Sequence, residues 1–421
     1  MRVMVLGNGG REHALAWRMA HDGAQVVVAP GSDGIGREHE CAAVDLRDHA
    51  AVVTLARARG IELCVIGPEQ PLVDGLADAL RAAAIPCFGP GAAAARLEGS
   101  KVDAKQFMAR HGIPTARCVV VRELGELSAA LASFELPPVV KADGLAAGKG
   151  VVVAQSFDEA EQAARACLSG AAFGAAGAQI VLEQRLVGEE VSLFAVTDGH
   201  EAVVLAPAQD HKRIGDGDTG PNTGGMGAYV PAPVFDADVR ATALSRIVEP
   251  TLAGLRQEGR AFVGVLFVGL MIDAQSQPWV IEYNCRFGDP EVQALVWGAS
   301  EPLLPHLAAA ATGALRPGVV ATRPAATVVL AAAGYPGTPR AGDAIEGLQA
   351  AAAVPETKLF HAGTRHDGHG FRTAGGRVLG VCARGDTLPQ ALARAYEAAG
   401  CVHFDGMQLR RDVGARALAR S

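Results

Sequence analysis

The chain has 421 residues, of which 49% are hydrophobic, and a formal net charge of −7. That length builds about two to four domains, no apolar run approaches the roughly 18 residues of a membrane span, and the acidic balance argues against sequence-independent nucleic-acid binding. The eight cysteines are dispersed without a C-x-x-C pair, which disfavours a zinc site or disulfide framework and suits a reducing cytoplasm.

MRVMVLGNGG, at the start, reads as a strand entering a Gly-rich turn rather than as a signal peptide. After strand 2–6 come a turn at 7–10, a helix over 11–20 and a strand at 26–28 that ends in Ala29-Pro30-Gly31. A helix over 46–59 stops at Gly60, strand 61–66 ends in Gly67-Pro68-Glu69, and after another helix strand 85–88 ends in Gly89-Pro90. Strands alternating with helices predict a doubly wound parallel sheet, with ligands beyond the carboxyl ends of its strands. A dinucleotide site is the weaker alternative: the turn is G-x-G-G, and Ala29-Pro30 stands where an acid should bind the ribose. A phosphate can sit on the turn amides beside Arg11; simple strand-to-helix packing accounts for Gly9 and Gly10 equally well.

Ser100-Lys101-Val102-Asp103 fits a capping box that opens a helix over 101–111. Lys101 and Lys105 share one face of it, most often a solvated basic edge. KADGLAAGKG, residues 141–150, is not a P-loop: only three residues separate Gly144 and Gly148, and Gly150 follows Lys149 where a hydroxyl is required. Flanking Val runs make it a Gly-rich loop between strands, with Lys141 and Lys149 able to hold a polyphosphate. A helix over 158–168 and a strand at 180–183 follow. Only six of the 38 basic residues are lysines; chance survival accounts for any one of them as well as a need for a compact ammonium does, and accounts less well for the five that fall in or beside the Gly-rich or capped segments.

Residues 209–229, QDHKRIGDGDTGPNTGGMGAY, form a long loop whose polar content suits enclosing a substrate. In VIEYNCRFGDPE, residues 280–291, strand alternation turns Glu282 and Asn284 to one face, and Ile281 and Tyr283 to the other. A carboxylate and an amide oxygen on one face suit Mg²⁺. Arg286 is placed to pair a carboxylate, and Cys285, with no His in the segment, reads as a buried small residue. Residues 326–421 form a small α+β unit with strands at 326–330, 359–361 and 378–381 and an apolar helical face over 388–396. No chemistry is legible there, which leaves sheltering or docking.

GNGGREHALAW, GPEQPLV, LEGSK, KADGLAAGKGV, QDHKR, DTGPNTGGMGAY, EYNCRFGDPE, FHAGT and GGRVL, in order along nearly the whole chain, resemble the phosphoribosylamine–glycine ligase (glycinamide ribonucleotide synthetase) family of the ATP-grasp superfamily. The resemblance implies an N-terminal Rossmann-like domain over 1–100, an ATP-grasp domain over 101–325 with a lid at about 117–190, and a C-terminal α+β domain over 326–421. It implies ATP-dependent ligation of glycine to 5-phosphoribosylamine through a glycyl phosphate in purine biosynthesis, with Mg²⁺ or Mn²⁺, in a cytoplasmic monomer; the alternative is another ATP-grasp carboxylate–amine ligase. A transient contact with the upstream enzyme is compatible with a labile amine. By the same resemblance, ATP is held by Lys105, Lys141, Gly144, Gly148, Lys149, Gly150, Glu183, Leu186 and Glu190, and the metal by Glu282 and Asn284. Lys141, Arg286 and Asp210 are implied to be catalytic. Asn8, Gly9, Gly10, Arg11, Pro68, Glu69, Gly224, Gly225, Met226 and Arg286 are implied to bind glycine and phosphoribosylamine. The chain departs from many relatives where Gly269, not an acid, lies on the strand before E-x-N; Asp273 closes that strand and is not assigned to the metal.

Overall fold

Val3, Met4, Val5 and Leu6 are all fully buried, the mark of a strand covered on both faces. In the computed structural model, which describes residues 1–145, 150–169 and 179–420, this strand, Arg2–Gly7, is the centre of a five-stranded parallel sheet. Gln25–Pro30 and Glu40–Cys41 lie on one side of it, Leu63–Ile66 and Cys87–Phe88 on the other. The order reverses between Arg2–Gly7 and Leu63–Ile66, so the crevice faces the turns after these strands. The doubly wound expectation holds.

A second sheet has four strands, in the order Cys118–Val121, Ile180–Glu183, Val139–Ala142, Val151–Val153, every pair antiparallel. Helices Leu124–Ala132 and Phe157–Leu168 cover it with a core of its own, including Val121, Leu127, Val140, Ala160 and Leu182. A third sheet runs Pro278–Asn284, Gly264–Ile272, Glu189–Thr197, Ala202–Val204, Gly318–Val319. Its core is continuous with that of the first sheet: Leu6 and Ile66 join Phe107, Leu193, Val268 and Tyr283 in one cluster.

The last sheet corrects the reading of residues 209–229 as one long loop. Its order is Gln209–Asp210, Gly227–Val230, Ala325–Ala331, Arg377–Arg384, Thr357–His361, all antiparallel. Two strands from the middle of the chain therefore belong to the C-terminal sheet, and a separate hairpin, Arg213–Gly215 with Thr219–Asn222, spans the distance between them. Strands of two to four residues leave no periodic signal. Helix Leu388–Cys401 packs its Leu392, Ala395 and Ala399 against Val328, Leu330 and Val381 on this sheet.

Candidate functional site

A cavity of about 750 Å³ lies between the four-stranded sheet, the Pro278–Asn284 strand and the crevice of the first sheet. One wall of it starts from helix Lys101–Arg110. Ser100 Oγ accepts from the Asp103 amide at 3.0 Å, as a capping residue should. The return half of the capping box is not made, because the Asp103 carboxylate pairs with Arg260 at 2.7 Å. Asp143, just after strand Val139–Ala142, serves the helix start instead, accepting from the Val102 amide (3.1 Å), Ser100 Oγ (3.0 Å) and Gln179 Nε2 (2.6 Å).

Lys101 and Lys105 do not form a solvated edge; both line the cavity. The Nζ atoms of Lys105 and Lys141 lie 3.1 and 3.0 Å from the same Glu183 oxygen, and none of the three residues is more than 5% exposed. Lys105 also donates to Thr115 Oγ1 (2.7 Å), and Lys141 to the Ile281 carbonyl (3.0 Å). Two buried ammoniums on one carboxylate leave a positive excess that suits an anion. Burial lowers the Lys105 pKa, with Glu183 opposing. Lys101 donates to the Gly144 carbonyl at 2.9 Å, and burial lowers its pKa too. Of the five lysines among the described residues, Lys101, Lys105, Lys141 and Lys212 line the cavity; Lys358 pairs with Glu38 elsewhere. Gly144, Gly150, Leu186 and Glu190 line it as well. Gly148 and Lys149 lie outside the described residues.

Glu282 and Asn284 both reach the cavity, but a bulge revises the alternation beside them. Gly269 pairs with Glu282 and Leu270 with Val280, so Ile281 is the extra residue and lines the cavity alongside Glu282. Tyr283 borders the cavity as well, but its hydroxyl is buried against Thr251 Oγ1 at 2.7 Å. The Asn284 amide nitrogen is buried without a hydrogen-bond partner among the described residues, and the nearest cation to Glu282 among them is Lys212 at 3.9 Å. A carboxylate and an amide side chain that both line the cavity supply the oxygen donor types that suit a hard cation. Among the described residues no three His, Cys, Asp or Glu side chains converge to hold a metal unaided. Asp273 is engaged away from the cavity, accepting from the Gln275 and Gln277 amides and Trp279 Nε1.

Lys212 organises the acids. It lies 3.1 Å from Glu190, and Glu190 foremost, with Asp210 and Glu282, raises its pKa well above the usual value. Burial pushes Glu282 up, but Lys212, Lys141 and Lys101 outweigh it and hold the carboxyl below its ordinary value. At Asp210 burial wins, helped by the charges of Glu291, Glu190 and Glu282, and its pKa is pushed up to about 7. Burial also raises Glu291, whose carboxylate accepts from Ser192 Oγ at 3.2 Å.

The opposite wall carries the arginines. Arg286 is held by Glu98 at 2.9 Å and Glu69 at 3.2 Å, with Arg11 3.7 Å from Glu69. Glu98 also accepts from the Cys285 amide at 2.8 Å. Burial raises the Cys285 thiol well above its usual range, consistent with its reading as an inert buried residue. Arg377, from the C-terminal sheet, bonds the Gly224 carbonyl (2.5 Å), the Asp289 carbonyl (2.6 Å) and the Asp289 carboxylate (2.9 Å).

Several residues expected at the substrates lie outside the cavity wall. Asn8 is exposed. The Gly9 amide is taken by Glu12 Oε2 at 2.7 Å, which leaves it closed to a phosphate. Glu12 fills the space beside the two turns: a Cβ on Gly67 would sit 2.1 Å from its carboxylate, and one on Gly7 2.4 Å from its Cγ. Gly10 packs against Gln293 and Ala362, and Gly225 against Pro290. Pro68 precedes helix Glu69–Val73 as its cap residue. Met226 is fully buried beside Val329 and Ala331. Arg11, Glu69, Gly224 and Arg286 remain on the wall. Sequence reasoning missed Glu98, Lys212, Asp289, Glu291 and Arg377. Scarcity of lysine could have found Lys212, and Glu98 and Arg377 stand inside the LEGSK and GGRVL motifs.

Comparison with known proteins gives a consistent result. Family models for phosphoribosylglycinamide synthetase match along the chain: the N domain over residues 1–98, the ATP-grasp (A) domain over 99–292 and the C domain over 325–416. The chain is 47% identical to a phosphoribosylamine–glycine ligase of Vibrio cholerae and 49% identical to one of Mesorhizobium japonicum, covering 100% of this chain and 99% of each relative. The crystal structure of phosphoribosylamine–glycine ligase from Thermotoga maritima superposes with a TM-score of 0.86 at 36% identity, over 98% of this chain and 100% of that one. Biotin carboxylase from Campylobacter jejuni, 14% identical with a TM-score of 0.75 over 100% of this chain and 98% of its own, shares the fold.

Proposed function

The chain belongs to the phosphoribosylglycinamide synthetase (phosphoribosylamine–glycine ligase) family, and from that premise we propose how its cleft forms the amide bond. It is an ATP-dependent C–N ligase that joins glycine to 5-phosphoribosylamine in purine biosynthesis. A carboxylate is a poor electrophile, so a glycine oxygen first attacks the terminal phosphate of ATP, giving glycyl phosphate and ADP. The amine nitrogen then attacks the carbonyl carbon, phosphate leaves, and the nitrogen loses a proton.

The observation that carries this reading is the buried pair Lys105 and Lys141 on one Glu183 oxygen. The lysines hold the ATP phosphates, with Gly144 and Gly150 beside them and Leu186 and Glu190 toward the nucleoside. Glu282 and Asn284 would hold Mg²⁺ or Mn²⁺. That cation supplies charge neutralisation on the phosphates. Arg286, oriented by Glu98 and Glu69, binds the glycine carboxylate and the acyl phosphate. Asp210, with its pKa near neutrality, accepts the amine proton. The 1–100, 101–325 and 326–421 segments divide the work, with the lid at about 117–190. Eight free thiols support a cytoplasmic setting, and no helix among the described residues is long and apolar enough to cross a membrane.

Glycine labelled with ¹⁸O in its carboxylate tests the intermediate. One label must appear in each phosphate released; unlabelled phosphate would rule out glycyl phosphate. ADP release must require both glycine and phosphoribosylamine.

A further inference from the structure

The hairpin Arg213–Gly215/Thr219–Asn222 poses a problem of support. Its two strands pair with each other and with no other strand among the described residues, and an isolated two-stranded hairpin is marginal in water. Yet Arg213, Asp218 and Asn222 line the cavity, and the chain entering the hairpin carries Asp210 and Lys212. Its base is pinned to the C-terminal sheet, where the His211 amide donates to the Gly227 carbonyl at 2.9 Å and the Met226 amide to the His211 carbonyl at 2.8 Å. The base alone does not fix the tip.

The tip is held by residues near the end of the chain. Arg410 is 1% exposed and is among the largest fully buried side chains. Its Nη1 lies 2.6 Å from Asp218 Oδ1, and its Nε and Nη2 lie 2.7 and 2.6 Å from the two Asp412 oxygens. Asp412 Oδ2 also accepts from the Gly217 amide at 2.9 Å, Asp216 Oδ1 accepts from the Arg411 amide at 2.8 Å, and Arg416 Nη2 is 3.4 Å from Asp218. Tyr396 secures this segment to helix Leu388–Cys401: its hydroxyl donates to the Arg410 carbonyl (3.1 Å) and accepts from the Val413 amide (2.9 Å). A guanidinium fork can serve two carboxylates at once, whereas an ammonium cannot reproduce that geometry.

We propose that Arg410 is a positioning residue for the ligase reaction: through Asp218 and Asp412 it holds the 213–222 hairpin as a wall of the cleft and so keeps Lys212 and Asp210 in place. This rests on the proposed function only for its kinetic readout. Arg410 touches neither the lysine pair nor Glu282. The side chains of Asp218 and Asp412 are 48% and 27% exposed, so loss of the guanidinium leaves carboxylates that water can reach rather than stranded buried charges.

The test uses the full-length enzyme with Arg410→Met, Arg410→Lys and Asp216→Ala. Each variant is assayed for kcat and KM, for its thermal melt, and for trypsin cleavage after Arg213 compared with sites in the first domain. Arg410→Met is expected to lower kcat about tenfold and to speed cleavage after Arg213 by a similar factor, the scale of a lost charged hydrogen bond, with cleavage elsewhere unchanged. Arg410→Lys should recover part of both. Asp216→Ala, an exposed change, should move both in the same direction by less. Wild-type kcat and cleavage in Arg410→Met would overturn the proposal, as would acceleration spread over the whole chain. If Arg410→Met does not fold, Asp216→Ala decides, and wild-type behaviour there overturns it. A wild-type enzyme without glycine-dependent ADP release would refute the functional reading, while the cleavage result would still report on the hairpin.

Discussion

Glu183→Gln is the sharpest probe of the cleft. Glu183 is 4% exposed and is the carboxylate shared by Lys105 and Lys141. Neutralising it leaves two buried ammoniums facing each other, and breaking a buried pair in this way costs about 3–5 kcal/mol. An unfolding entropy of roughly 2.1 cal/mol/K per residue gives about 0.9 kcal/mol/K for this chain, so the ligand-free melt should fall by about 3–6 °C. ATP brings the missing negative charge and no longer competes with Glu183 for the lysines. At one fixed ATP concentration the stabilising shift should therefore be larger in Glu183→Gln than in wild type. Alkaline pH adds a second sign. Folded Lys105 has a pKa below 10.5 because of burial, so the unfolded chain binds more protons between the two values and stability rises with pH across that window. Without Glu183 the window extends to lower pH, and the variant should regain stability more steeply as pH rises toward 10. Differential scanning fluorimetry with and without ATP, from pH 7 to 10, measures all three effects. A variant that melts like wild type, or gains less from ATP, would refute the lysine–carboxylate account of the phosphate site.

Other substitutions separate the remaining roles. Glu282→Gln should raise the half-saturating Mg²⁺ concentration by about tenfold or more, because an amide oxygen replaces a charged ligand; a Mg²⁺ titration of activity reads this, and an unchanged requirement would remove Glu282 from the metal site. In the ligand-free protein the Asp210 carboxyl, at about 7, binds its proton more tightly than it does unfolded, so its contribution to stability is lost as pH rises toward 7. Asp210→Asn should shrink the difference in melting temperature between pH 5 and pH 8 and abolish an activity inflection near pH 7. Met226→Ala should cost about 2–5 kcal/mol as a core truncation while leaving the KM for glycine unchanged, a result that a direct substrate contact would not allow.

Local features were the legible part of this molecule. The doubly wound sheet follows from alternating strand and helix signals, and Glu282 and Asn284 from a spacing of two on one strand. Features fixed by partners far along the chain were not legible. The bulge at Ile281 is set by pairing across from Gly269 and Leu270. Gly7 and Gly67 are glycines largely because the Glu12 side chain lies against both, a reason invisible from either turn alone. The capping box at Ser100 was half right, because Asp103 had a stronger partner in Arg260, 157 residues away.

The C-terminal segment shows the same limit with functional consequences. Read alone, it carries no chemistry, and no reacting group need come from it. Yet Gln209–Asp210 and Gly227–Val230 are strands of its sheet, Arg377 fastens Gly224 and Asp289, and Arg410 fastens Asp218. The stretch that carries Asp210 and Lys212 is covalently in the middle of the chain but is positioned from its end. The cavity-lining residues Asp210, Lys212 and Gly224 thus lie on a segment that packs against chain supplied after residue 324, so the C-terminal unit helps to frame the cavity rather than only covering it.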